Sequence, residues 1–241
     1  MTGSRLYGAV FDLDGTLLDT EGISHRAIHQ AVSAFGKAHT RALHKSILGR
    51  PSAEWTRMVL DALDLHGHIA PEELARQWEE NMHNMMSEVE MLPGSIQLLR
   101  ELHARKVPIA LATSSSSMAV AVKRKYHDEL FSYFSVIVCG NDPEVKRGKP
   151  EPDIFLLAAK RLYEKTTGET VAVGEAATIP HCVVFEDSVL GVQAGKSANM
   201  SVVAIPDARI FETAEERETL FQHADDIITS LELFQFEKYG W

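Results

Sequence analysis

The chain has 241 residues, 34 of them acidic and 24 basic, for a net charge of −10, and its side chains are 45 % hydrophobic and 24 % charged. That is the composition of an ordinary folded protein and excludes disorder, while the acidic balance disfavours broad binding to nucleic acid or to an anionic membrane. No apolar run nears the ~20 residues of a membrane helix. The first five residues lack the layout of a secretory signal, and the two cysteines, Cys139 and Cys182, have no metal-ligand or disulfide-framework spacing, so the expectation is a cytoplasmic protein.

In chain order, residues 7–11 read as a buried strand. The span that follows, from about 21 to 91, carries helical periodicity and no strand signal, with helices expected over 22–35, 52–63 and 71–89. Within it Met82, Met85, Met86 and Val89 repeat at helical spacing and read as the core of an inserted helical module. The turn Leu92-Pro93-Gly94 returns the chain to strand and helix in alternation. Strands are expected over 108–112, 136–139, 182–185 and 201–205, and helices over 95–105, 118–126, 152–163 and 189–198. Pro152 suits a first helical turn and Ser188 an N-cap, while residues 164–180 read as a surface loop. The strands are continuously apolar rather than alternating, as when helices cover both sheet faces. The expected fold is therefore an α/β, doubly wound, Rossmann-like parallel sheet formed by 1–19 and 93–241, with residues 20–92 as a helical insertion.

The strongest chemical signal is Phe11-Asp12-Leu13-Asp14-Gly15-Thr16 at the end of the first strand. Ligands of open α/β sheets bind outside the carboxyl ends of strands, and two carboxylates there are costly unless a cation or a shared proton compensates. Three more strand ends offer matching groups. Thr113-Ser114-Ser115 offers a hydroxyl and loop N–H groups to an oxyanion, Lys149 lies extended before Pro150, and Glu186-Asp187 adds a second acidic pair. Each has a plain alternative as a turn hydroxyl, a solvated charge or a helix-dipole partner, but all occur at strand carboxyl ends.

These four motifs, in this order, resemble those of the haloacid dehalogenase-like hydrolase superfamily, and the resemblance covers nearly the whole chain. It implies that Asp12 is the nucleophile, Asp14 the general acid and base, Thr113 a phosphate ligand and Lys149 the cation that binds nucleophile and phosphate. It also implies Mg2+ held by Asp12, the Asp14 carbonyl and Asp187, with Glu186 in a supporting role. The carboxylate of Asp14 points to phosphoryl transfer rather than dehalogenation, because a departing halide needs no proton. The insertion after the first motif makes the chain resemble the helical-capped members, whose cap closes over small substrates. Stretches around Thr113, around Gly148-Lys149-Pro150-Glu151-Pro152-Asp153 and around Glu186 further resemble the pseudouridine-5'-phosphatase group within them.

The implied function is a phosphomonoesterase for a nucleotide-like or sugar phosphate, with a small-molecule phosphate ester as partner, neither nucleic acid nor membrane, and a monomer or dimer as the assembly. Ser24, His25, Arg50 and Ser114 are the candidate substrate contacts. His25 and His29 stand at i, i+4, but no third ligand makes them a zinc site. Lys146 and Arg147 read as a solvated loop. Two alternatives stand beside this reading. A β-phosphoglucomutase-like phosphoryl transfer is disfavoured by Ser24 at the position where that family has a histidine. A non-catalytic phosphoacceptor regulatory module is disfavoured by motif order and by the helical insertion.

Overall fold

The computed structural model describes residues 6–48, 50, 52–171 and 181–241. The chain divides into two units, residues 1–18 with 91–241, and residues 19–90. Among its described residues the second unit holds four α-helices, α1 (Thr20–Ser33), α2 (Arg41–Ile47), α3 (Ser52–Leu63) and α4 (Pro71–Met85). The Asp19 carboxylate caps α1 by accepting from the Gly22 N–H at 3.1 Å, and Pro71 opens α4, where a missing N–H costs nothing. The helix α2 was not expected. Thr40 starts it, accepting from the Leu43 N–H at 3.2 Å.

The core of this unit gathers Ile28, Val32, Ile47, Trp55, Val59, Leu60 and Leu74, and Trp55 meets Trp78 edge to face at 5.7 Å between ring centres. The methionine stripe is not that core. The α-helix stops at Met85 and a 3₁₀ turn takes Met86–Glu88, which breaks the period, so Met86 and Val89 are buried while Met82 and Met85 are half-exposed. Gly49, Pro51 and the first five residues lie outside the described residues.

The first unit is built on six parallel strands, β1 (Ala9–Phe11), β2 (Ile109–Thr113), β3 (Val136–Cys139), β4 (Val183–Glu186), β5 (Ser201–Ala204) and β6 (Asp226–Ile227), in the order β3-β2-β1-β4-β5-β6. Chain direction across the sheet reverses at β1, so the switch point, where open α/β sheets bind ligands, falls beside β1 and β4. Every residue of β1, β2 and β4 is buried, and Phe11 pairs in register with Phe185, their rings stacked at 4.3 Å.

Among the described residues six helices accompany the sheet: α5 (Ser95–Ala104), α6 (Ser117–Tyr126), α7 (Asp128–Ser132), α8 (Asp153–Thr167), α9 (Val189–Ser197) and α10 (Ala214–Leu220). From α8, Phe155, Ala158 and Leu162 pack on Val10, Ala110 and Val184, each large side chain stabilising the fold by about 1.5–3 kcal/mol over exposure. Pro152 is the residue before α8 rather than its first turn. The loop expected from 164 is corrected by the same helix, which runs on to Thr167 because the chain stays helical until Gly168, while residues 172–180 lie outside the described residues. No helix among the described residues is long and apolar enough to cross a membrane.

Candidate active site

Asp12 follows β1 directly, and its N–H donates to the Phe185 carbonyl at 3.0 Å, so the ladder to β4 fixes the backbone that bears it. The chain then turns tightly, with the Leu17 and Leu18 N–H groups both donating to the Leu13 carbonyl. Gly15 takes φ +85° in this turn, and a Cβ there would stand 2.2 Å from Oδ2 of Asp187. Buried Thr16 donates its hydroxyl to Oδ1 of Asp187 at 2.8 Å. The glycine and threonine of the first motif therefore seat the aspartate of the last against the Asp14–Gly15 backbone.

Lys149 enters from the loop after β3 and donates to Oδ1 of Asp12 at 2.6 Å, to Oε1 of Glu186 at 2.7 Å and to the Ala112 carbonyl at 3.3 Å. Its ammonium lies 4.8 Å from the centre of the Phe155 ring. All three charged side chains are at least nine-tenths buried. Burial pushes the Asp12 carboxyl up to about 7, helped by the negative charges of Glu186 and Asp14 and opposed by Lys149. Burial works against the Lys149 ammonium, but Asp12 and Glu186 outweigh it and hold the lysine above its ordinary range, so it stays charged. The other oxygen of Glu186 accepts from the Ser188 N–H and hydroxyl at 2.8 and 2.9 Å. Ser188 also caps α9, as expected, accepting from the Gly191 N–H at 3.0 Å.

Asp14 has a different environment two residues on. Its Oδ2 accepts from the Ser115 hydroxyl at 2.7 Å and from Thr113 at 3.4 Å, and its Oδ1 is ion-paired with Lys123 of α6. The structure thus brings Asp12, Asp14, Thr113, Lys149, Glu186 and Asp187 to one sheet edge. It adds Lys123, which the sequence reading missed, and gives a role to Ser115, which that reading named only as part of the strand-end loop; their signal is a hydroxyl two residues after Thr113 and a lysine in helical phase with buried Val120. Ser114 is exposed at the end of β2, its carbonyl packed against Gly140.

The candidate substrate contacts of the helical unit have partners within that unit. Ser24 accepts from the Trp78 indole N–H at 3.2 Å, His25 packs on His39 and His44, and Arg50 donates to the Ser46 carbonyl at 2.9 Å and pairs with Glu54. In the loop before α8, Lys146 donates to the Pro143 carbonyl and Arg147 pairs with Asp153.

Among the described residues no three His, Cys, Asp or Glu side chains already form a metal cage. The donor set at the sheet edge still fits a hard divalent cation that keeps most of its waters. Asp12, Asp187 and the Asp14 carbonyl are oxygen donors, and a single lysine contacts the Asp12–Glu186 pair. Glu186 fits that shell poorly, since Lys149 and Ser188 occupy both its oxygens.

Known proteins with this architecture are similar over nearly the full chain. A "Probable pseudouridine-5'-phosphatase" of Drosophila melanogaster is 39 % identical, covering 96 % of this chain and 92 % of its own. "(DL)-glycerol-3-phosphatase 2" of Arabidopsis thaliana is 33 % identical over 96 % of this chain and 90 % of its own. A crystal structure from Thermotoga maritima, titled "putative beta-phosphoglucomutase", superposes with a TM-score of 0.73 at 28 % identity, covering 98 % of this chain and all of that one. The family described as haloacid dehalogenase-like hydrolase matches residues 9–205, a span that holds every strand-end residue named above, and the chain belongs to that family.

Proposed function

We propose that this hydrolase is a magnesium-dependent phosphomonoesterase that acts on a small phosphorylated metabolite through a phosphoaspartate on Asp12. The observation that carries the reading is the unequal setting of two aspartates from one motif: Asp12 buried against Lys149, and Asp14 held by hydroxyls and a different lysine. Paired carboxylates with contrasting environments divide the nucleophile and proton-transfer roles.

As a carboxylate, Asp12 needs no base to attack phosphorus; it needs its charge offset as an anionic substrate approaches. Lys149 supplies one positive charge at Oδ1, and Glu186, fixed by Ser188, keeps that lysine pointed at the nucleophile. Asp12, Asp187 and the Asp14 carbonyl would hold a divalent cation, which would supply further positive charge to offset the repulsion between nucleophile and substrate. Glu186 is therefore assigned to Lys149 rather than to the cation. The Thr113 hydroxyl and the N–H groups after it serve the phosphoryl oxygens.

In the first step, which Asp14 enters protonated, an Asp12 oxygen bonds to phosphorus, the ester P–O bond breaks, and Asp14 gives its proton to the departing oxygen, becoming the carboxylate that Lys123 and Ser115 hold. Water then attacks phosphorus, Asp14 takes the water's proton, and the P–O bond to Asp12 breaks, releasing phosphate. The names of the relatives support a nucleotide-like, polyol or sugar phosphate as substrate. A panel of nucleoside, hexose and glycerol phosphates, compared by kcat/KM with magnesium, tests this. Release of phosphate with a clear preference among small esters is expected; transfer to a sugar hydroxyl without phosphate release would favour the mutase alternative.

A further inference from the structure

The pairing of Asp14 with Lys123 is not required by the four motifs. Lysine is rarely buried without a partner, because removing its ammonium from water is costly. Lys123 is nonetheless 4 % exposed, although it belongs to a run of three basic residues whose other two, Arg124 and Lys125, face solvent. It lies on the face of α6 that also buries Val120, and its ammonium points back to the β1 and β2 strand ends.

There Lys123 donates to Oδ1 of Asp14 and, at 2.8 Å, to Oγ of Ser115. Ser115 in turn donates its hydroxyl to Oδ2 of Asp14 at 2.7 Å, so lysine, serine and carboxylate close a ring of three hydrogen bonds. The ring is anchored at three places. Asp14 hangs from the turn after β1, Ser115 is fixed through its N–H to the Thr113 hydroxyl at 3.1 Å, and Lys123 is carried by α6, which Ser116 caps at the Ala119 N–H. A carboxylate gripped on both oxygens from two other elements has lost the torsional freedom it would have on an exposed turn.

We propose that Lys123, acting through Ser115, is the positioning residue for Asp14, holding the acid/base carboxylate on the leaving-group side of the site. This rests on the role given to Asp14 above. Lys123 does not touch the nucleophile, whose ammonium partner is Lys149, and so the chain uses two buried lysines for two separate tasks. Preorganisation matters at this carboxylate because displacement of a catalytic group by about 1 Å costs on the order of 10²-fold in rate.

The test compares kcat/KM for an alkyl ester, glycerol phosphate, with that for 4-nitrophenyl phosphate, in wild type, Lys123→Met, Lys123→Arg and Ser115→Ala. The aryl leaving group needs little protonation and the alkyl one needs much, so their ratio reports proton delivery and is independent of the amount of active enzyme. Lys123→Met should lower the alkyl-to-aryl ratio about tenfold or more with KM for the aryl ester nearly unchanged, and Ser115→Ala should lower it by a smaller factor. Lys123→Arg, which keeps the charge and the donors, should retain most of the ratio. A purely structural lysine would reduce both substrates together. An unchanged ratio in Lys123→Met, or in Ser115→Ala should the first variant not fold, overturns the inference while leaving the phosphatase reading standing. Absence of phosphate release from any ester by the wild-type chain would overturn both.

Discussion

The Lys149 ammonium stands 2.6 Å from Oδ1 of Asp12 and 2.7 Å from Oε1 of Glu186, so that one buried cation serves two buried carboxylates. The arrangement is one positive charge short; burial, with that shortfall added, raises the Asp12 carboxyl, and the same shortfall makes a site whose donors suit a divalent cation.

Removing the lysine should expose the cost. In Lys149→Met the two carboxylates remain buried without their cation, and breaking such a group costs about 3–5 kcal/mol. Urea unfolding should show a lower midpoint at neutral pH with the slope unchanged, and addition of magnesium should restore part of the loss. An unchanged midpoint would mean that the three groups are not a closed unit.

Gly191 tests the other end of the same contact. A Cβ at this position would lie 1.7 Å from Oε1 of Glu186, whose side chain is almost fully buried and bonded through both oxygens. Gly191→Ala should leave α9 intact but push Glu186 off Lys149. The expected outcome is a loss of kcat of about tenfold or more with near-native circular dichroism. Wild-type kcat would show that the glutamate does not orient the lysine.

The helical unit carries a pH-dependent contribution of its own. His39 is buried, its Nε2 is 3.1 Å from Nδ1 of His44, and His44 reaches Oε2 of Glu21 at 3.2 Å, with the rings of His25 and His29 alongside. Burial, reinforced by the neighbouring histidines, holds His39 down at about 3 and lowers His25 as well, with Arg41 adding to the effect on His25. The unfolded chain takes up the His39 proton near pH 6.5 and the folded chain only near 3, so this contribution to stability is full above pH 6.5 and falls as pH drops below it. For one such histidine the slope is about 1.4 kcal/mol per pH unit. Unfolding midpoints between pH 7.5 and 5 should fall steeply in wild type and less so in His39→Gln; parallel curves would contradict this.

Much of the core was legible because its strands are short and continuously apolar and end in the residues that carry the chemistry, as at Phe11-Asp12 and Phe185-Glu186. The sixth strand, Asp226–Ile227, escaped because two residues, one of them charged, carry no periodic signal. Lys123 escaped for a different reason. Local sequence presents Lys123, Arg124 and Lys125 as one solvated charge run, and only the phase set by Val120 distinguishes the member that turns inward. The methionine stripe misled because periodicity predicts a face but not where the helix stops.

Asp12→Asn keeps the size and shape of the nucleophile and removes the charge that attacks. Phosphate release from 4-nitrophenyl phosphate in magnesium should fall by about 10³-fold or more, to the limit of detection. Folding should be retained, because Lys149 keeps Glu186 as its counter-charge. Retained turnover would remove Asp12 from the nucleophile's role.

The most direct measurement is the site of covalent labelling. The wild-type chain is mixed with a radiolabelled phosphate ester and magnesium, quenched in acid within the first turnover, digested and mapped. An acid-stable, hydroxylamine-sensitive label on the peptide that contains Asp12, absent in Asp12→Asn, is the predicted result. Phosphate released at the normal rate with no label on that peptide would contradict it.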